Sequence, residues 1–201
     1  LLFMNVKKMI VMICAIGFLV ASCKKDPVST QKTPCSTSNP DFLSLYSNTA
    51  QQQQQLLDTN FVDAEVHSYS FEVNVPKTIC SVGYQSCAGL SQIPYLIEIR
   101  DSVANTVLYS GSHLFDSLAM SYVSIPPLSL VPNHTYTVNR IQTNWPIYIS
   151  QTIGRVLFQP GSFTIQFPIN HGALKITSSH FYGNGGPSVN YALPCIDLVY
   201  Q

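Results

Sequence analysis

Charge is scarce in this sequence, with ten basic and ten acidic residues among 201 and a formal net charge of zero. No basic stripe is present, which excludes nucleic acid as a partner, because phosphate contacts need one. Local catalytic signatures are missing as well. There is no GxSxG, no HExxH and no phosphate-cradling glycine loop, so no contiguous stretch encodes a nucleophile elbow, a zinc hydrolase or a nucleotide site. Paired carboxylates for glycoside hydrolysis have few sources, namely Glu65, Glu72, Glu98, Asp101, Asp116 and Asp197, and Glu72 and Glu98 fall on the polar faces of strands. His113 with Asp116 lacks the third partner of a triad. Close CxxC and His pairs are absent too, so neither a metal nor another cofactor is expected. The chain reads as a protein that is not an enzyme.

A membrane-spanning run is also lacking. The apolar stretch 9–22 holds fourteen residues, whereas a helix crossing a bilayer takes roughly 20. Lys7 and Lys8 precede it and small residues close it, the pattern of a secretory signal peptide. Met4 then reads as the start, with Leu1, Leu2 and Phe3 as upstream read-through. The signal ends in Val20-Ala21-Ser22-Cys23, which resembles the lipobox of bacterial lipoproteins.

That resemblance implies a diacylglyceryl thioether on Cys23, cleavage before it, and membrane partnership through the lipid. Lys24-Lys25-Asp26 is similar to the start of mature surface lipoproteins of the Bacteroidetes type, with one acidic residue where a stronger export signal has more. The implied location is the bacterial cell envelope, lipid-anchored in the outer membrane, with outward and periplasmic orientations both open.

Residues 27–60 turn to Ser, Thr, Pro, Asn and Gln and end near glutamines 51–55. This composition has too little apolar periodicity to bury a core and reads as a solvated tether. Phe42, Leu43, Leu45 and Tyr46 offer the alternative of one short helix. The expected division is a signal over 1–22, a lipidated cysteine and flexible tether over 23–65, and a domain over 66–201.

The domain alternates with period two. In SYSFEVNV, Phe71, Val73 and Val75 share one face; in YLIEIRD, Tyr95, Ile97 and Ile99 do; in SFTIQFP, Phe163, Ile165 and Phe167 do. TICSVGYQ, TVLYSG, MSYVSI, YTVNRIQ, GRVLF, ALKITSSHFY and CIDLVY bring the strands to roughly ten. Turns are marked by Asp101-Ser102, Pro126-Pro127, Pro132-Asn133, Pro160-Gly161 and the Gly-rich stretch 183–187. Long helical stripes are absent. The expected fold is all-β, an antiparallel two-sheet β-sandwich of jelly-roll or immunoglobulin-like form. FEVNVPKTICSVGYQ, YLIEIRDSVANTVLYSG and LSLVPNHTYTVNRI together resemble uncharacterised jelly-roll modules of secreted bacterial proteins, which implies binding of carbohydrate or protein.

Cysteine arithmetic agrees with export. Setting aside Cys14 in the signal and Cys23 leaves Cys35, Cys80, Cys87 and Cys195 as disulfide candidates with three possible connectivities. Cys80 with Cys87 is the local choice, provided the chain folds back after Gln85.

For ligand binding, QTNWPIY and HFYGNGGPSVNY are the most suggestive stretches. Trp145, Tyr148, Tyr182 and Tyr191 offer flat faces for sugar rings, and Asn184, with Asn190, offers hydrogen bonds. The competing reading makes Trp145 a packing residue and the glycines a turn. The function expected is a lipid-anchored envelope protein that binds a glycan or another cell-surface ligand without catalysis. The alternative is a structural or accessory subunit of an outer-membrane protein assembly, with an envelope protein as partner.

Overall fold

A computed structural model describes Cys35 and residues 38–53, 56–161, 164–183 and 186–201. The stretches read as signal and lipobox, with Cys23, and the first part of the expected tether lie outside the described residues. The described residues form one α-helix, α1 (Pro40–Gln52), two short 3-10 turns, and thirteen strands: β1 (Leu57–Asp63), β2 (Val66–Val73), β3 (Lys77–Tyr84), β4 (Tyr95–Asp101), β5 (Thr106–His113), β6 (Ser121–Leu130), β7 (Tyr136–Ile141), β8 (Ile153–Phe158), β9 (Ile169–His171), β10 (Leu174–Tyr182), β11 (Ser188–Val189), β12 (Ala192–Pro194) and β13 (Asp197–Tyr200).

The expected all-β, antiparallel sandwich is the observed one. Its large sheet runs β11-β10-β2-β7-β4-β5, with β9 also on β10, and two smaller sheets run β13-β3-β6 and β1-β8-β12. Every strand pairing among the described residues is antiparallel. The sheets share one core: Tyr69, Phe71, Ile97, Ile99, Val138 and Ile176 come from the large sheet, and Ile79, Val82, Leu157, Leu193 and Leu198 from the smaller ones. Strand alternation follows directly from the sequence in β4, where Tyr95, Ile97 and Ile99 are fully buried. It stops early in β2, which ends at Val73 and leaves Val75 exposed. Ile165 is buried but SFTIQFP forms no strand over 164–168, and Phe163 lies outside the described residues.

Pro126-Pro127 is not a turn. Both prolines lie inside β6, where the register against β3 shifts between Ile79 and Ser81. An edge strand with a bulge tolerates prolines because their missing N–H groups remove no ladder bond, and β6 is such an edge.

The folded unit also begins earlier than residue 66. Asn39 caps α1 by accepting a hydrogen bond from the Asp41 N–H, and Pro40 follows it at the first helical position. Phe42, Leu45, Tyr46 and Thr49 then recur on one face and are all buried. The Phe42 ring stacks on Tyr69 at 6.0 Å. The turn at Gly172 fits the helix closely, since its φ is +55° and a Cβ there would strike the Asp41 carboxylate. Part of the stretch expected to be a tether is therefore a helix with a core-facing stripe, followed by β1.

The N-cap is tied to the far end of the chain. The Asn39 amide side chain donates to the Leu198 carbonyl at 2.8 Å, and the Asn39 N–H and the Tyr122 hydroxyl donate to Asp197 Oδ2 at 3.1 and 3.0 Å. Burial pushes the Asp197 carboxyl up to about 6, against the lowering effect of those two hydrogen bonds. A folded-state pKa above the unfolded value gives stability that is present at acid pH and is lost as pH rises from about 4 through about 6. The stability difference between the native protein and Asp197→Asn is expected to shift in the variant's favour over that window, by a few kcal/mol at most. Urea melts of both proteins on each side of the window measure it, and parallel pH profiles would contradict it.

Cys35 is bonded to Cys80, 45 residues away, so the local Cys80 and Cys87 pairing is not the one formed. Cys87 and Cys195 are free thiols. Burial pushes the Cys195 thiol up to about 12, which keeps it unreactive. The bond ties the segment ahead of α1 to β3, and its removal by Cys35→Ser is expected to cost about 2–4 kcal/mol, read as a lower denaturation midpoint.

Arg140 is fully buried on the inner face of β7. Its guanidinium lies over the rings of Tyr84 and Tyr95 at 5.6 and 5.1 Å and donates to the carbonyls of Ala64 and Thr152. These contacts fasten the large sheet to β3 and to the segments beside β1 and β8, and brace β7 against its neighbour β4.

Candidate functional site

The two stretches singled out for binding meet in space. Trp145 from the first, with Ile149 just after it, and Phe181, Gly183, Gly186, Ser188 and Tyr191 from the second, line one cleft of about 410 Å³. Phe61, Val62, Asp63 and Ala64 complete it.

Within the cleft Trp145 is a structural residue. It is 6% exposed, and its indole N–H donates to Thr152 Oγ1 at 2.9 Å and Asp63 Oδ1 at 3.2 Å. Asp63 also accepts from the Ser150 N–H and the Thr152 hydroxyl. Neither the indole N–H nor the Asp63 carboxylate is left for a ligand. Tyr148 is partly buried against the core, with its N–H bonded to the Trp145 carbonyl. Tyr191 packs against Phe158 at 5.2 Å and Phe181 at 6.4 Å. Asn184 lies outside the described residues, and Asn190 takes a positive φ and accepts from the Ser179 N–H.

Phe61 carried no signal in the sequence, because it falls in the stretch that reads as tether. A register shift in β1 between Asn60 and Val62 turns it outward. There it stacks on Phe158 at 4.2 Å and stays 48% exposed.

Tyr182 belongs to a second concavity. The face of the large sheet turned away from the core forms an open groove of about 480 Å³, built by β2, β4, β7 and β10 with the β4–β5 turn. Strand register sets its floor in rows. Tyr182, Val66 and Ile141 are cross-strand neighbours; the next row holds His180, Ser68 and Asn139, and the third holds Ser178, Ser70, Thr137 and Arg100. Alternation makes these rows inevitable once Tyr69 and Phe71 point inward.

Hydrogen bonds order the polar rows. The Thr137 hydroxyl lies 3.0 Å from that of Ser70 and 2.7 Å from that of Ser102, and Ser178 Oγ lies 3.1 Å from His180 Nε2. Arg100 donates to Glu98 at 3.3 Å and to Asn105 at 3.4 Å. Asp101 accepts from the N–H groups of Val103 and Ala104, and its other oxygen lies 2.8 Å from His134 Nε2. The Ala104 N–H is the main cause that holds the Asp101 carboxyl below its ordinary value, and His134 adds to it. Burial lowers the pKa of His180. The Asn139 carboxamide and the Tyr182 hydroxyl, both lining the groove, make no side-chain hydrogen bond among the described residues.

The groove and the cleft adjoin at the end of β10, where Tyr182 lines the first and Gly183 the second. Elsewhere His113 Nε2 is engaged by the Tyr109 hydroxyl at 2.5 Å, and the Asp116 carboxylate accepts from the Leu118 N–H. Among the described residues no three His, Cys, Asp or Glu side chains gather as metal ligands, and no helix is long and apolar enough to cross a membrane. No family model and no curated protein matches the chain.

Proposed function

We propose that this protein is a non-catalytic glycan-binding module of the bacterial envelope, anchored in the outer membrane through a lipid on Cys23. The observation that carries the binding role is the groove on the outward face of the large sheet. Hydroxyl, amide and imidazole groups lie there beside Tyr182, which is 43% exposed. Glycan sites combine such hydrogen-bonding side chains with an aromatic or aliphatic surface. The anchor rests on the sequence, through the lipobox at Cys23.

The test is a glycan array probed with the full chain and with Tyr182→Ala. Loss of the exposed ring is expected to weaken binding about tenfold, with the thermal midpoint unchanged. Equal binding by both proteins would remove Tyr182 from the site, and no binding by either would end the glycan reading.

A second reading, an accessory subunit of an outer-membrane assembly, is favoured by the apolar hollow beside β1. Leu57, Phe61, Phe158 and Pro160 line it, and Leu57 and Phe61 are exposed. Affinity capture from intact envelopes separates the two: one stoichiometric protein favours the assembly, and glycan-dependent retention favours the binding module. Protease shaving of whole cells reports which way the domain faces.

A further inference from the structure

We infer that the groove takes a neutral oligosaccharide lying across the strands, with its apolar face on the row of Tyr182, Val66 and Ile141 and its hydroxyls on His180 and Asn139, which flank the buried Ser68 in the next row. The inference rests on the glycan reading above and narrows it to a ligand class and an orientation.

Three features lead to it. The first is chemical order. Successive same-face residues on a strand are about 6.8 Å apart, and four adjacent strands span about 14 Å. Over the three strands β10, β2 and β7, about 10 Å of that width, the groove sets an apolar row alongside a polar row. A pyranose has the same two sides, a C–H face and a hydroxyl rim, and a ligand running along the strands would cross both rows at every residue instead of matching them.

The second feature is charge. Each formal charge at the groove is already answered within the protein. Arg100 faces Glu98, and its two terminal nitrogens donate to Glu98 and Asn105. Asp101 is held by two backbone N–H groups and His134. At the neighbouring end of the sheet Lys175 pairs with Glu72 at 3.0 Å. A uronate, sialate or sulfate entering the groove meets no unpaired cation and must compete with Glu98 for Arg100. A ligand ammonium meets no unpaired carboxylate.

The third is unspent hydrogen-bonding capacity. The Asn139 carboxamide is at the β7 end of the polar row, next to Glu98 on β4, and makes no side-chain hydrogen bond among the described residues. A carboxamide both donates and accepts, which suits a sugar hydroxyl and gives no preference for charge.

The experiment compares a length series of neutral oligosaccharides with the same backbones bearing uronate or sulfate, using the full chain, at low and high salt. Neutral ligands are expected to bind, to gain affinity with length until the groove is filled, and to keep that affinity at high salt, because screening acts only on charge. Asn139→Ala is expected to lower affinity about five- to tenfold at unchanged thermal stability. Tyr182→Ala provides an independent variant should Asn139→Ala fail to fold. Binding confined to acidic glycans, or lost at high salt, would overturn the inference and leave the glycan reading standing. Absence of binding to every member of both series would overturn both.

Discussion

A Cys23→Ser chain is expected to leave the membrane fraction almost completely, while the native protein stays with it after high-salt washing. Each buried acyl methylene contributes about 0.8 kcal/mol, and two or more chains hold a protein on a bilayer where one holds it only marginally. The apolar run 9–22 is too short to replace that anchor by spanning the membrane, since it holds fourteen residues against the roughly 20 needed. Fractionation with intact-mass analysis of the extracted protein decides the matter. The native chain should carry the mass of diacylglyceryl on Cys23, with a further acyl group where the new amine is modified. An unmodified native chain, or a serine variant that still sediments with membranes, would contradict the anchor.

The second large effect concerns α1. Phe42 is fully buried, stacked on Tyr69 and packed 5.8 Å from Tyr46. Phe42→Ala removes a large ring from a closed interior and is expected to cost about 3–5 kcal/mol. Leu43, one residue on, is 39% exposed, and Leu43→Ala should change stability by no more than about 0.5 kcal/mol. Chemical denaturation of the two variants gives both values. Similar, small effects at both positions would mean that the helix adds nothing to the core and that the stretch behaves as the tether its composition suggests.

That contrast shows where the sequence is legible. The signals for α1 are present: an Asn-Pro-Asp start and an apolar stripe at 42, 45 and 46 that the buried Thr49 extends. Glutamines 51–55 just after the stripe dominate the local composition and hide it. β1 is harder, since its buried positions do not alternate and its bulge at Phe61 breaks the period. β4 is the opposite case, with Tyr95, Ile97 and Ile99 inside and Glu98 and Arg100 outside as period two requires. β9, β11 and β12, each three residues or fewer, are too short to carry a periodic signal.

The binding surface divides in the same way. The stretches around Trp145 and Tyr191 come together in one cleft, a juxtaposition that neither stretch announces alone. What local composition does not encode is that the Trp145 indole is spent on Asp63 and Thr152. The groove depends on cross-strand register: His180 meets Ser68, and Ser68 meets Asn139, only because β10, β2 and β7 are neighbours. Those residues are more than forty positions apart at each step through β2, and nothing in a single strand announces the row.

The most direct test of the account is amide chemical-shift mapping of the isotopically labelled full chain as a neutral oligosaccharide is titrated in. The account predicts that the largest shifts fall on Ser68, Asn139, His180 and Tyr182, saturate together, and leave the inner-face residues Tyr69 and Val138 nearly unmoved. Shifts centred on Phe61 and Tyr191, or none at saturating sugar, would contradict the assignment of the outward sheet face as the binding surface.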